Sequence, residues 1–495
     1  MERTIARLSS AFTKADRRLS VYAAILGTGL ALLAGAAVVI VNVSAGPLSN
    51  LNDIGGWRNR LLFLLLCGAA QVLVQLLCVF LRPSSCGRML LRQVLLLCGF
   101  HIALLAINQK TYVYTAQVQP LIRAAETGGL AAIADTKTAL SVPYLSLLFL
   151  LTRIPVYDLY LVKLLSVISY QALTLLFVHS TEELLPGLRS EALLLLSQIL
   201  PHAFLSVACA AQADIFSLFL LFVGLLCQKR REPMRAAALY GLASSLCGVL
   251  LLSAPLFFLC RSACGLSETE EAGGDLNGPK WLRRKLVLKT VGIAMVFYFI
   301  PMLPAILAGF PAGKAICSPL TALFGAPPYA SGSCNLMALF PRASAMEMPE
   351  IFLLRRVPAL DLETNASPFY TSAHFEMLMR GLALTGMAGF IAAAVYVKKR
   401  FYGLRLAFLL AAMALFAVPG GSAALWLSCD LLALCLILTD RQMRIPSCIL
   451  LFATAAGACY PVTEEILIRP AYTSMMIIAS ILLSLHPLGK GEEAA

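Results

Sequence analysis

Residues 21–43 read VYAAILGTGLALLAGAAVVIVNV, a run without a charged side chain that is long enough to cross the hydrocarbon core of a bilayer. Runs of this kind recur along the chain as far as residues 472–485. They are solid blocks of Leu, Ala, Val and Phe, whereas an outer-membrane barrel alternates apolar and polar residues. The sequence therefore predicts an all-α polytopic membrane protein with about 12–14 transmembrane helices.

The composition requires lipid as the solvent. Of 495 residues, 59% are apolar and 13% are charged, and the mean hydropathy is +0.82. A water-soluble chain of this composition would expose large apolar surfaces. The net charge of +13 indicates no nucleic-acid partner, because the basic residues lie in short loops between apolar runs. The fifteen cysteines are mostly single residues within apolar runs, where Cys packs as a small hydrophobe.

The basic loops also predict the orientation of the chain, because positively charged loops face the cytoplasm. We expect an inner-membrane protein with both termini cytoplasmic and an N-terminal run that is retained as an anchor. This orientation places two long polar segments, 108–140 and 311–375, on the external face. The predicted regions are N-terminal transmembrane helices at 1–107, a module at 108–310 that includes the first external segment, the second external segment at 311–375, and C-terminal transmembrane helices at 376–495.

One predicted span conflicts with this orientation. Residues 236–260 are long enough for a single span, which would place the basic residues 280–285 outside. A broken, re-entrant pair of segments around Gly248 restores the agreement. Non-helical backbone at membrane depth is tolerated where it is buried in protein or lines a cavity, so this pair would lie in the protein interior.

Charged residues within membrane segments are costly and are therefore functional candidates. Asp214 is the strongest, ahead of Asp430, Asp158 and Lys163, because it follows Gln212 among small residues that leave room for close approach. The alternative is that Asp214 only caps the helix that follows.

His202 follows Pro201 in the predicted span 190–208 and either hydrogen-bonds within the bundle or contacts a ligand. Glu126 and Asp135 are the acids of the first external segment, so a general base from that segment would be one of them. The alternative for both is a solvated loop acid. The phosphate-binding Gly-rich loop, the HExxH motif and the Ser-based elbow of soluble enzymes are not found in the sequence.

Four short elements resemble, in the same order, motifs of the GT-C glycosyltransferases, especially bacterial proteins similar to the mannosyltransferases of GPI-anchor synthesis. Together they span about residues 108–340. They are VPYL at 142–145, which resembles the family's "PPL" element; LPHAFLSVACAAQAD ending at Asp214, which resembles "NP…WGQvD"; GVLLLSAP ending at Pro255, which resembles "K-pq-alllaP"; and SCNLMAL around Asn335, which resembles the external "aNxWaL" run.

The resemblance implies that a sugar, with mannose as one candidate, is transferred from a polyprenyl-phosphate donor to an acceptor on the external face, with inversion at the anomeric carbon. Membrane lipid and the lipid-linked sugar would be the partners. In this scheme Glu126 or Asp135 is the base, and Gln212 and Asp214 organise the acceptor or a divalent metal ion. The other substrate-binding candidates are His202, Asn335 and the phosphate-binding Arg342, Arg355 and Arg356.

The chain also departs from the family pattern. No Asp or Glu lies between His101 and Ala125, where the family's base is expected, and the "HERY"-like element near the lipid phosphate falls on the uncharged run 420–424. Two alternatives therefore stay open. One is a catalytically lapsed homologue that binds lipid-linked sugars or supports a partner enzyme. The other is a lipid or glycan transporter, which would predict internal repeats with paired broken helices.

Overall fold

The structure is a computed structural model. It describes residues 114, 118–132, 141–151, 153, 158–181, 185, 188–209, 212, 214–230, 232–253, 280–325, 404–417, 423–463 and 470–485. Within these ranges the chain is helical and contains no strand, which confirms the all-α prediction.

The described part of the chain forms thirteen α-helices of five residues or more. In chain order they are α1 Gln119–Ala132, α2 Val142–Leu151, α3 Asp158–Thr181, α4 Leu188–Ile199, α5 Asp214–Lys229, α6 Pro233–Leu246, α7 Lys280–Phe299, α8 Leu303–Leu307, α9 Ala312–Gly325, α10 Leu404–Ala417, α11 Leu427–Thr439, α12 Arg444–Thr463 and α13 Pro470–Leu485. Three 3₁₀ turns, Gly248–Ser253, Ile300–Met302 and Ala423–Trp426, lie between them.

Two stretches of the described chain are long and apolar enough to cross a membrane. They are Asp158–Thr181, which is α3, and Leu288–Leu307, which covers most of α7 and continues into α8. The first is 67% buried within the protein and the second only 17%. The other apolar helices have apolar stretches of 10–17 residues. The larger number of spans and the position of the termini stay predictions.

The buried apolar side chains pack in clusters that link the helices. One cluster joins α3, α4, α5 and α11, and a neighbouring cluster joins α1, α2, α3, α5 and α6. A third group of buried side chains packs α10, α11, α12 and α13 together. Because α11 contributes to two of these groups, it connects the C-terminal helices to the middle of the chain.

The break predicted near Gly248 is confirmed. Helix α6 ends at Leu246, Cys247 is extended (φ −132°, ψ 107°), and a 3₁₀ turn begins at Gly248. A Cβ atom on Gly248 would lie 1.7 Å from the carbonyl oxygen of Pro319, so only glycine permits this approach of α9. The second limb of the predicted re-entrant pair continues past Ser253 and lies outside the described residues.

The predicted span 190–208 differs from the structure. Helix α4 ends at Ile199, a helical turn follows at Pro201–Ala203, and Phe204–Cys209 forms a π-helix. The interruption lies at Pro201, because proline has no N–H to donate and its ring clashes with the preceding turn. π-Helical turns within helices are frequent at functional sites.

An ion pair joins the start of α10 to the end of α11. Arg405, in the first turn of α10, forms an ion pair with Asp440, which follows the last residue of α11. The first turn of α10 and the residues that follow α11 therefore meet at one end of α11, and the assignment of this end to the cytoplasm stays a prediction. The 3₁₀ turn Ala423–Trp426 lies at the other end of this helix.

Candidate functional site

The start of α5 is fixed against the neighbouring helices by three hydrogen bonds around Gln212. The Ser166 hydroxyl of α3 donates to the Gln212 carbonyl oxygen at 2.9 Å. The Gln212 backbone N–H donates to the Ser206 carbonyl oxygen at 3.3 Å. The Gln212 side-chain oxygen accepts the Ala424 N–H at 2.6 Å. These bonds place the first residue of α5, Asp214, at the end of α11 opposite to the Arg405–Asp440 pair.

Asp214 is partly exposed and has two polar side chains near it. Its carboxylate accepts a hydrogen bond from the Cys247 thiol, at the break after α6. It also lies within electrostatic range of the Tyr144 phenol on α2. Three separate stretches of the chain therefore bring a carboxylate, a thiol and a phenol to one place. We call this group the Asp214 site.

Tyr144 is buried, with 2% of its surface exposed, and its phenol oxygen has no hydrogen-bond partner. The helix that carries it is held in place by its own polar contacts. The Ser141 hydroxyl donates to the Leu246 carbonyl oxygen at 2.6 Å, and the Val142 N–H donates to the Ser318 hydroxyl at 3.0 Å. The phenol is therefore held rigidly at a position where its hydrogen-bonding capacity is unused.

Lys163 is a buried cation near the start of α5. It is fully buried and precedes Ser166 by one helical turn, so both lie on the same face of α3. Since Ser166 contacts Gln212, Lys163 lies on the side of α3 that packs against α5. A lysine buried at this depth needs an anionic or hydrogen-bonding partner in the apolar interior.

Two further acids lie on the helices around this site. Glu126 is exposed on α1, and its charge acts on Asp158, the first residue of α3. Helix α1 packs against α2 and against α8, and its buried side chains are Leu121, Ile122 and Ala125. The predicted base Glu126 is thus the carboxylate of a surface helix beside α2, which carries Tyr144.

His202 forms a second polar group in the interior. Its Nδ1 atom hydrogen-bonds to Asp430 Oδ2 of α11, and Thr454 of α12 donates to Asp430 Oδ1 at 2.9 Å. The two carboxylate oxygens of Asp430 thus contact two different elements of the chain, the turn after α4 and helix α12. The side chains of His202 and Asp430 are 1% and 0% exposed. We call this group the His202–Asp430 pair.

The predicted site residues fall into three sets. Asp214, Gln212 and Glu126 lie on or beside the helices that form the Asp214 site, and His202 belongs to the separate His202–Asp430 pair. Outside the described residues lie Asp135, Asn335, Arg342, Arg355 and Arg356. The described ranges contain no group of three or more His, Cys, Asp or Glu side chains that could hold a metal ion, and a metal at Gln212 and Asp214 stays a prediction.

Sequence reasoning missed three side chains that the structure places in these groups. Tyr144 lies within the VPYL run that carried the family resemblance, but it was not assigned a role. Cys247 occupies the break after α6 and was interpreted as a small apolar residue. Thr454 has no local signal, because its contact with Asp430 joins two separate helices.

Comparison of the chain with protein-family models, with curated proteins and with solved structures gives no match in any of the three.

Proposed function

We propose that this protein is a GT-C-like membrane glycosyltransferase, which transfers a sugar from a polyprenyl-phosphate donor to an acceptor at the external face. The observation that supports it best is the Asp214 site, where a partly exposed carboxylate lies near a buried phenol without a hydrogen-bond partner. A buried polar atom without a partner near a partly exposed carboxylate in an apolar bundle is typical of a ligand site.

The proposed reaction needs a carboxylate close to the acceptor. In an inverting transfer the acceptor hydroxyl loses its proton to a base while its oxygen attacks the anomeric carbon. The bond from that carbon to the donor oxygen breaks, and polyprenyl phosphate leaves with the electron pair. Asp214, Glu126 and Asp158 are described carboxylates on the helices of this region, and they come from three separate stretches of the chain.

The leaving phosphate needs cations or hydrogen-bond donors. The basic residues proposed for this role are Arg342, Arg355 and Arg356 of the second external segment, because Arg binds phosphate with two parallel hydrogen bonds. Helix α9, which begins this segment, packs against the 3₁₀ turn after Cys247. The segment thus starts beside the Asp214 site, which supports the assignment of its arginines to the donor.

The orientation of the helices supports an external position for the site. The Arg405–Asp440 pair lies at the end of α11 that the basic loops assign to the cytoplasm. Gln212 contacts Ala424 just before the opposite end of α11. A rise of 1.5 Å per residue over a helix of this length separates the two ends by about 20 Å.

A second candidate function is a lapsed homologue that binds lipid-linked sugar without transferring it. The contact between Gln212 and Ala424 favours it. The amide oxygen that the resemblance assigns to substrate binding accepts a backbone N–H of the run 420–424, and this run has no charged residue where the family binds phosphate. In this account Gln212 stabilises the fold.

The test uses the purified full-length protein in nanodiscs and a panel of radiolabelled polyprenyl-phosphate sugars, with binding and release of polyprenyl phosphate measured on the same samples. The proposal predicts release that requires an acceptor. Saturable binding without release would support the lapsed homologue. Neither binding nor release would contradict both candidates and would leave the transporter interpretation.

A further inference from the structure

The unpaired phenol of Tyr144 is the strongest indication of what the Asp214 site binds. A buried hydroxyl without a hydrogen-bond partner destabilises the fold, so such groups are rare in folded proteins. Tyr144 lies within electrostatic range of Asp214, but no hydrogen bond joins its oxygen to the carboxylate or to any other group. Tyr144 and Cys247, the residue whose thiol contacts the Asp214 carboxylate, lie in the same cluster of buried side chains, so the unused phenol donor lies beside the carboxylate.

The chemistry of the two side chains limits what that group can be. The Tyr144 phenol offers an O–H donor, whereas an ionised Asp214 carboxylate only accepts. A group that bridges them must accept from the first and donate to the second. A hydroxyl meets both requirements, an ammonium group cannot accept, and a phosphate dianion cannot donate and is repelled by the carboxylate.

The Cys247 thiol and the surrounding helices fix the carboxylate for this contact. The thiol donates to Asp214 from the extended residue after α6. Gly248, the next residue, is pressed against the backbone of Pro319, so Cys247 has little freedom to move. A carboxylate held in this way is oriented before the ligand binds, which lowers the entropic cost of the reaction.

We propose that Asp214 and Tyr144 bind the reacting hydroxyl of a neutral, sugar-like acceptor and that Asp214 is the base of the transfer. Tyr144 donates to the acceptor oxygen and aims its lone pair at the anomeric carbon. The acceptor proton passes to Asp214 as the new C–O bond forms and the bond to the donor phosphate breaks. This inference rests on the proposed function and supplies the base that the sequence lacks between His101 and Ala125.

Asp214 and Glu126 differ in the properties that a catalytic base needs. Glu126 is exposed on α1 and faces another acid, Asp158, whereas Asp214 is partly buried beside an unused donor. A base that is shielded from bulk water and faces a fixed donor holds one hydroxyl in one orientation. Glu126→Gln is therefore expected to lower turnover less than Asp214→Asn does.

The test compares three variants with the wild-type protein in nanodiscs, with methyl mannoside as the acceptor probe. Saturation-transfer NMR measures methyl mannoside binding, and radiolabelled polyprenyl-phosphate mannose measures turnover. Tyr144→Phe is expected to lower kcat/KM for the acceptor about threefold to tenfold with the donor KM unchanged. Asp214→Asn is expected to lower kcat about 100-fold or more with donor binding retained.

Tyr170→Phe is the matched control, because it removes a phenol that is already paired in the core. The Tyr170 hydroxyl donates to the Ser197 carbonyl oxygen at 2.5 Å, on the α4 side of α3. Its loss is expected to lower stability slightly and to leave acceptor binding and turnover unchanged. An equal loss of acceptor binding in Tyr144→Phe and Tyr170→Phe would overturn the proposal.

The other outcomes are equally decisive. Labelled methyl disaccharide as the product supports a sugar hydroxyl at the site, whereas release of free labelled mannose alone means that the hydroxyl is water and overturns the acceptor assignment. Methyl mannoside binding that depends on Tyr144 without any turnover refutes the base and the proposed function but not the hydroxyl site. Turnover without dependence on Asp214 or Tyr144 overturns the inference and leaves the proposed function standing.

Discussion

The His202–Asp430 pair and the Asp214 site use similar side chains in opposite ways. The pair is enclosed, with both side chains at most 1% exposed, and it joins the turn after α4 to α11 and α12. At the Asp214 site the carboxylate is partly exposed and a neighbouring phenol is unpaired. An acidic side chain within apolar helices thus either holds helices together or binds a ligand. The exposure of the acid and the pairing of the polar groups around it distinguish the two roles.

The one unpaired atom of the enclosed pair does not alter this contrast. His202 Nε2 has no hydrogen-bond partner, but the ring is nearly inaccessible. A single ordered water molecule commonly satisfies a buried polar atom of this kind. Asp214 is partly exposed, whereas His202 and Asp430 are enclosed, so we expect a ligand at Asp214 and not at His202.

His202→Ala is expected to have the largest effect on stability, because it removes the His202–Asp430 pair. This substitution leaves the Asp430 carboxylate buried beside Thr454 without a cationic or N–H partner, which costs about 3–5 kcal/mol. We expect a large loss of stability in urea unfolding of the micellar protein. His179→Ala, in the partly exposed last turn of α3, is the control. An unfolding midpoint of His202→Ala close to that of this control would mean that the pair holds nothing together.

Thr454→Val tests the same pair from α12. Valine keeps the shape of threonine but removes the hydrogen bond of 2.9 Å to Asp430 Oδ1. A hydrogen bond to a charged acceptor contributes about 1.5–3 kcal/mol, so stability should fall by that amount while sugar transfer stays unchanged. Thr127→Val, on the exposed face of α1, should change stability by less than about 0.5 kcal/mol.

Gly248→Ala tests the packing that supports the Asp214 site. The added methyl group would lie 1.7 Å from the Pro319 carbonyl oxygen, so α9 must move away from the residue after Cys247. Overpacking of this kind costs about 1–3 kcal/mol, and we expect weaker acceptor binding in the same variant. Gly292→Ala is the matched control, because its methyl group would meet nothing within 4 Å.

Gly292→Ala should stabilise the protein by about 0.5–1 kcal/mol, since alanine is the better helix former. Comparison of the two unfolding midpoints therefore separates crowding from helix propensity. Equal midpoints for Gly248→Ala and Gly292→Ala would show that the approach of α9 to Gly248 contributes nothing to stability.

Part of the fold follows directly from local sequence. Apolar blocks predict helices of membrane-spanning length, and the described part of the structure has two such stretches, α3 and Leu288–Leu307. The basic loops predicted the break at Gly248, because an unbroken span would have reversed the orientation of the residues after it. The sequence predicted an unbroken span over 190–208, whereas the structure has an interruption at Pro201. The hydropathy of an apolar run indicates burial in the membrane or the core, but it does not indicate whether the helix is continuous.

The sites follow from the sequence less completely. Asp214, His202 and Asp430 were all identified as costly charges or polar groups, but their pairing was not. His202 and Asp430 are 228 residues apart in the chain, and no local pattern connects them. Gln212 was assigned to substrate, whereas its side-chain oxygen accepts the N–H of Ala424, a contact across 212 residues. Local patterns indicate which groups need a partner, and only the packing of the helices determines the partner.

The most direct test of this account measures melting temperature and release of polyprenyl phosphate on the same nanodisc samples of wild-type protein and Asp214→Asn. The account predicts a melting temperature within about 2 °C of wild type and a release rate lowered about 100-fold or more. Wild-type release by Asp214→Asn would contradict it, because Asp214 would then be neither the base nor an essential part of the site.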